Sequence, residues 1–384
     1  MTTTSCVFDE IIDRRHTNSY KWDRYTDSNV IPAWVADMDF RAAPPILEAM
    51  QRITDHGLYG YAHAPAALDF VVVERLKTQH QWHIKPEWIV WLPGLVPGLG
   101  LSVRAFTQMG EAVMTPVPVY YPFMTETRAA QRTLQKVPLK LEDERWTLDF
   151  ETIEASITPQ TKLFLLCNPH NPAGTVFTKQ ELQQLVDICT ARGIVICSDE
   201  IHCDLIIDPT KTHLSIATLN EAAAQHTITL LSPSKTFNIA GLGGSFAVIP
   251  NDALRATFTQ TKAGLMPMLS AYSYEAALAA YRDCAHWHAQ LLTYLRANHQ
   301  LLLDTIATIP NLKMVPLEAT YLAWIDARAT GITDVAKHLE TAGVGVSDGT
   351  GFDGAGFFRL NIACPRPTLQ EILKRIRHAF DTTV

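Results

Sequence analysis

Apolar, β-branched runs alternate with amphipathic stretches through the middle of this chain. WIVWL (88–92), AVMTPV (112–117), TKLFLLC (161–167), GIVICS (193–198) and TITLLS (227–232) are short, continuous and bounded by turn residues. That is the pattern of buried strands. Between them lie helical segments such as LVPGLGLSVRAF and TKQELQQLVDICTARG. In the second, Thr178 stands as N-cap, Glu181 follows three residues later, and Gly193 comes just after the last turn. The alternation predicts βα units around a mainly parallel sheet. SFAVIP (245–250) follows a glycine cluster with no helix between, which predicts an antiparallel strand.

The texture changes beyond about residue 275. One long helix is expected over AALAAYRDCAHWHAQLLTYLRANHQLLLDTIATI, followed by short strands in MVPLEATYLAWID and GFFRLNIA. Helices near ITDVAKHLETAG and LQEILKRIRHAF fill the gaps. The fold class expected is α/β: a large domain over 46–285, and a smaller α+β domain built from both chain ends, 1–45 and 286–384.

Composition narrows the class. A chain of 384 residues suggests two domains. With 47% hydrophobic and 18% charged residues it is an ordinary globular sequence, not a disordered one. No apolar run reaches the roughly 18 residues of a membrane helix, and MTTTSCVFDE has no basic region leading into an apolar one. A soluble, unsecreted protein is expected, with no membrane contact. The net charge of −7 argues against a nucleic-acid surface. Seven cysteines (6, 167, 189, 197, 203, 284 and 364) are odd in number, scattered and without a CxxC pair. A reducing cytoplasm fits them.

Three segments carry candidate chemistry. In LLSPSKTFNIAG, Lys235 sits just after a buried strand among Ser232, Ser234, Thr236 and Asn238. A lysine at such a strand end can point into the crevice where α/β proteins bind ligands, and desolvation there makes its amine a nucleophile or Schiff-base former. It reads equally as a surface lysine beside a turn. NPHNPAG (168–174) places Asn168 and Asn171 after the strand TKLFLLC, and SDEIHCDL (198–205) places Asp199 after GIVIC. Each alone is weak, since asparagine–proline strings are common turns and an acid after a strand is often a helix cap.

Together, in this order, the three resemble the fold-type I pyridoxal-phosphate enzymes, the aminotransferase superfamily, over nearly the whole chain. The resemblance implies a mainly parallel seven-stranded sheet flanked by helices and pyridoxal 5'-phosphate as cofactor. It further implies that Lys235 carries the cofactor and acts catalytically, that Asp199 pairs with the pyridine nitrogen, and that Asn171 reaches the ring hydroxyl. WLPGLVPGLG resembles the phosphate loop, with backbone amides of Gly94, Leu95 and Val96 at a helix N-terminus. Tyr120 stands where the family stacks an aromatic ring, with Tyr121 one register away. Ser232 and Ser234 would add phosphate hydrogen bonds. Arg359, in GFFRLNIA, matches the arginine that grips a substrate α-carboxylate; alternation around it favours an outward-facing side chain.

WVADMDF (34–40) and YGYAHAPAAL (59–68) resemble the cystathionine β-lyase branch of carbon–sulfur lyases, whose N-terminal segment lines the substrate cleft and here offers Asp37. Aminotransferases commonly place a phosphate-binding arginine eight residues after the lysine; Gly243 stands there instead. His202 stands where many have a tyrosine. The resemblance implies β-elimination from L-cystathionine or a related cysteine S-conjugate to a thiol (homocysteine), pyruvate and ammonia. The alternatives are an aminotransferase and a cofactor-bearing regulatory or interaction protein. It also implies a homodimer with shared active sites, Tyr61 of one subunit reaching the neighbour's cofactor.

Three other signals are set aside. GTGFDG (349–354) spells GxGxxG, but a strand follows where a dinucleotide site needs a helix. Asp199, Glu200, His202 and Asp204 could ligate a metal, yet the first two would point to opposite sides of a strand end, and none is expected. His286 and His288 are taken as a solvated face.

Overall fold

The computed structural model describes residues 7–381, so Cys6 and most of the N-terminal stretch read above for a leader lie outside the described residues. Eight strands form the large sheet: β1 (Ile89–Leu92), β2 (Ala112–Val117), β3 (Thr133–Glu142), β4 (Arg145–Leu148), β5 (Thr161–Cys167), β6 (Val195–Asp199), β7 (Thr227–Leu231) and β8 (Ser245–Val248). Their spatial order is β1-β8-β7-β6-β5-β2-β3-β4. Parallel pairing runs from β7 through β6, β5 and β2 to β3. Beside that run β8 is antiparallel to both β7 and β1, as its helix-free approach predicts.

The sheet is buried on both faces. Along β5, Leu163, Leu165 and Cys167 enter one core, whereas Phe164 and Leu166 enter the other with Leu182 and Leu185 of the helix Lys179–Thr190. Alternate side chains of a strand point to opposite faces, so an unbroken apolar run is what two covering layers require. The helix after β5 starts on the capping box expected from Thr178 and Glu181. β3 and β4 carry no such run. TLQKVPLKLE is largely exposed, and β4 returns antiparallel to it as an eighth strand at the sheet's edge, beyond the seven the resemblance implies.

A second, antiparallel sheet comprises β9 (Lys313–Met314), β10 (Leu322–Asp326), β11 (Ser347–Asp348) and β12 (Phe357–Asn361), in the order β9-β10-β12-β11. Its core gathers Phe8, Met38 and Phe40 from the N-terminal segment with Leu295, Leu302, Leu322 and Phe358. Both ends of the chain thus contribute to it. The single long helix expected beyond residue 275 is instead two, Ala271–Asp283 and Ala285–Ile306, parted at Cys284. Near the start of the second helix, Trp287 packs edge-on to Phe8 and stacks on Phe237.

Candidate active site

The carboxyl ends of β5, β6 and β7 and the turn after β1 converge. Each delivers one polar group: Asn171 four residues past β5, Asp199 at the last position of β6, Lys235 four residues past β7. With the N-terminus of the helix Leu95–Phe106 they close around a cavity of about 240 Å³. Gly94, Leu95, Val96, Tyr120, Asn171, Asp199, His202, Ser234 and Lys235 all line it. This is the crevice at the carboxyl edge of a parallel sheet, where open α/β folds bind ligands.

The Lys235 amine donates to the carbonyl oxygen of Ala36 at 2.6 Å. Burial lowers its pKa to about 8, opposed by the charge of Asp37 and reinforced by Arg359. Asp199 is raised to about 7, chiefly by burial; the Ile201 amide at 3.1 Å and the Lys235 charge only partly offset this. His202 is lowered to about 3 by burial and by the two cations Lys235 and Arg359, so it stands neutral. Its Nδ1 is buried without a hydrogen-bond partner among the described residues.

Gly243 also lines the cavity, in a left-handed backbone conformation (φ +66°), and a Cβ there would lie 3.0 Å from the carbonyl oxygen of Pro93. Any larger residue would be strained and would press on the turn before the helix. The helix offers its first free N–H groups at this point, with the positive end of its dipole.

A second cavity, about 430 Å³, opens outward and shares Ala36, Tyr120 and Lys235 with the first. Tyr120 borders both, whereas Tyr121 borders only the outer one and is 44% exposed. The geometry thus separates the two adjacent tyrosines. Burial and the neighbouring Tyr121 raise the Tyr120 phenol well above its ordinary value. Arg359 reaches the outer cavity from β12. One terminal nitrogen donates to the Asn171 side-chain oxygen at 3.0 Å, the other to the Trp34 carbonyl at 2.8 Å. Its guanidinium lies 4.6 Å from the centre of the Phe352 ring. Burial lowers its pKa to about 10, which still leaves it charged at neutral pH.

Several sequence expectations need correction. Arg359 is not outward-facing: β12 is buried along its whole length, and only 4% of the residue is exposed. Asp37 lines neither cavity; Arg14 at 2.8 Å and Lys21 at 3.5 Å hold its carboxylate. It acts on the site through its charge on Lys235. Ser232 is likewise absent from the lining. Its hydroxyl donates to the Gly244 carbonyl and accepts the Ser234 amide, so it shapes the turn. Tyr61, expected to serve the neighbouring subunit's site rather than its own, is 98% exposed and lines neither cavity of this subunit. His288 is half-buried, bonded to the Asp204 carbonyl at 2.7 Å, and only His286 is a solvated position.

The acidic cluster after β6 divides. Glu200 turns inward to His213, Ser198 and Ser215, while Asp204 pairs with Arg75 at 2.7 Å and His80 at 3.1 Å. His80, Cys203 and Asp204 lie close enough to share an ion, but the Arg75 cation already neutralises that carboxylate.

Sequence reasoning missed the Ala36 carbonyl, which accepts from both Lys235 and the Tyr321 hydroxyl. A backbone oxygen has no signature in a sequence. Asn238 was flanking detail only, yet it clamps the N-terminal segment to the lysine loop: its side-chain amide donates to Met38 and Phe40 carbonyls and its oxygen accepts the Met38 amide.

These donors fit pyridoxal 5'-phosphate. A cationic ring nitrogen would supply the partner the raised Asp199 carboxyl lacks. The helix N-terminus and the Ser234 loop present N–H and O–H groups to a phosphate. Lys235 has a readily deprotonated amine, and the His202 Nδ1 lacks a partner. Fold and cavity together define a pyridoxal-phosphate enzyme of fold type I.

Comparison carries this further. The chain belongs to the aminotransferase class I and II family, whose model matches residues 30–376. It is 37% identical over 385 residues to the cystathionine beta-lyase PatB of Bacillus subtilis (strain 168), covering 97% of this chain and 99% of that protein. The crystal structure of OvoB superposes with a TM-score of 0.95 at 44% identity, covering 97% and 98% of the two chains. Cystalysin from Treponema denticola, whose structure contains a pyridoxal 5'-phosphate cofactor, gives 0.94 at 33% identity over 98% and 99%. The protein is therefore a pyridoxal-phosphate-dependent enzyme that groups with the cystathionine-β-lyase-like carbon–sulfur lyases.

Proposed function

We propose that the protein cleaves the Cβ–S bond of L-cystathionine or a related cysteine S-conjugate, releasing a thiol (homocysteine from cystathionine), pyruvate and ammonia. One observation carries this reading. The outer cavity, about 430 Å³ and lined by Lys235 and Arg359 together with Trp34, Tyr121 and Phe352, has room for a thioether substituent besides an amino acid's own carboxylate. The relatives named cystathionine beta-lyase support it.

Pyridoxal phosphate, when bound, draws electrons from the substrate α-carbon. The chain supplies the rest. Arg359 would grip the α-carboxylate, its orientation fixed by Asn171 and Trp34. Lys235, held near pKa 8, carries the cofactor and then removes the α-proton as general base. Asp199, buried, would keep the proton on the cofactor's ring nitrogen by pairing with it. Tyr120 would cover the ring, and Gly94, Leu95, Val96 and Ser234 would hold the phosphate, all of them lining the inner cavity. Small-molecule amino acids are the substrates, and a two-fold homodimer is the acting form, with Tyr61 completing the neighbour's phosphate site. Among the described residues all six cysteines are buried and free, which suits a reducing compartment, the cytoplasm.

The test is direct. Holoenzyme incubated with L-cystathionine and no keto acid should release thiol and pyruvate in equal amounts. Amino transfer that needs a keto acid and frees no thiol would make it an aminotransferase instead.

A further inference from the structure

Arg24 sits at the mouth of the outer cavity, in the irregular stretch that precedes Ile31. Its guanidinium lies 4.2 Å from the centre of the Trp34 ring and 5.7 Å from that of Tyr25. The neighbouring cations are spoken for. Arg14 and Lys21 hold Asp37 and Asp39, and Lys337 is paired with Glu340 at 2.6 Å. Arg24 has no carboxylate partner among the described residues. Stacking on an aromatic face fixes the plane of a guanidinium while leaving the N–H groups of its edge unused, the geometry that takes a carboxylate with two parallel hydrogen bonds.

The same cavity therefore carries two arginines, Arg359 buried and Arg24 exposed, and Trp34 lies between them: its carbonyl accepts from Arg359 and its ring lies against Arg24. Two cations separated by an apolar stretch match a molecule with two carboxylates separated by methylenes or a thioether. Three acids also line the cavity: Glu340 pairs with Lys337, while Asp334 and Asp348 cap helix starts through the Lys337 and Thr350 amides, and among the described residues none forms an ion pair with Arg24.

We propose that Arg24 is the cation of a distal subsite, selecting cysteine S-conjugates whose departing thiol half bears its own carboxylate. The proposal rests on the lyase reading for the chemistry of the substrate, and its test is chosen to stand apart from catalysis. L-2-Aminopimelate and L-2-aminoheptanoate have the same chain length, carry no leaving group and differ only in the distal carboxylate.

Calorimetric titration of the holoenzyme should show 2-aminopimelate binding roughly tenfold tighter. Arg24→Gln should bring the ratio of the two dissociation constants close to one, and Arg24→Glu should invert it. The side chain is exposed, so neither change threatens folding. A ratio near one in the unaltered enzyme overturns the proposal. So does a preference that survives Arg24→Gln, or one lost with Lys337→Gln instead. Selective binding of 2-aminopimelate without pyruvate release from any cysteine conjugate would sink the lyase reading and leave this subsite standing.

Discussion

The Arg359 guanidinium donates to the side-chain oxygen of Asn171 at 3.0 Å, tying a strand of the small sheet to the loop after β5 of the large one. The resemblance assigns these residues separate duties, one to the substrate carboxylate and one to the cofactor ring. In the structure they form a single unit. Removing either leaves a buried polar group of the other unpaired, which costs more than the bond itself contributes.

Arg359→Ala should raise KM for amino-acid substrates by roughly one to two orders of magnitude, through loss of a charged, two-pronged contact. Asn171→Ala should also raise KM, by less, because Arg359 loses its orienting acceptor. The double variant should fall short of the product of the two effects, since groups within one hydrogen-bonded unit are not additive. Strict additivity in steady-state kinetics would show that the contact does not matter to substrate binding.

For Lys235 the readout is chemical. Borohydride treatment of holoenzyme should fix the cofactor on the peptide that contains Lys235, and Lys235→Ala should fix none. The rate at which cofactor-free protein takes up pyridoxal phosphate covalently should rise with pH and level off just above 8, because the amine is lowered to about 8 by burial. An unburied lysine would keep accelerating toward its ordinary value near 10.4. Labelling elsewhere, or a rate still climbing at pH 10, would point to another lysine.

Asp199 makes a prediction about stability without cofactor. Its folded pKa is raised to about 7, above the unfolded value near 4, so the native state binds this proton more tightly than the unfolded chain does. As pH rises from about 4 to 7 the carboxylate must ionise in a buried place, and the cofactor-free protein loses stability across that window. Asp199→Asn removes the loss. Its advantage in melting temperature should be absent near pH 4, grow to pH 7 and stay flat above, reflecting about 2–4 kcal/mol at most. In the holoenzyme the same change should cut turnover about a hundredfold. An advantage over the unaltered protein that is no larger at pH 8 than at pH 4 would mean Asp199 is solvated.

What could be read in advance followed local rules. β5, β6 and β7 announce themselves as apolar runs because two helical layers cover them, and Lys235, Asp199 and Asn171 follow from their ends. β3 was silent because an exposed strand has no need of apolar residues. The corrections share a different cause. The resemblance assigns Asp37, Ser232 and Arg359 to the site, but where each side chain goes depends on residues far away in sequence. Arg14 and Lys21 claim Asp37, Gly244 claims the Ser232 hydroxyl, and Asn171, Trp34 and Phe352 enclose Arg359. Ala36 had no signature at all.

Tyr61 gives the last prediction, and it concerns assembly. Residues 57–65 form no regular element and carry Leu58, Tyr59 and Tyr61 at 71%, 66% and 98% exposure. Large apolar side chains exposed this fully in one segment mark a contact surface. Tyr59 stacks on Tyr272 of its own chain at 6.2 Å, which anchors the segment and leaves Tyr61 projecting. A tyrosine that packed within its own subunit would be covered, and this one is not. Gly243 leaves the phosphate site without the arginine usual in aminotransferases, so a hydroxyl donated by a neighbouring subunit would complete it. The expected form is a two-fold dimer in which each subunit gives and receives the same contact. Tyr61→Phe should weaken cofactor retention, measured by dialysis against a phosphate buffer, and lower activity. Mixing Tyr61→Phe with Lys235→Ala under subunit exchange should restore activity, because one site of each heterodimer regains both native groups. Heterodimers proven by mass but without recovered activity, or a fully active monomer in sedimentation, would show that the site belongs to one chain alone.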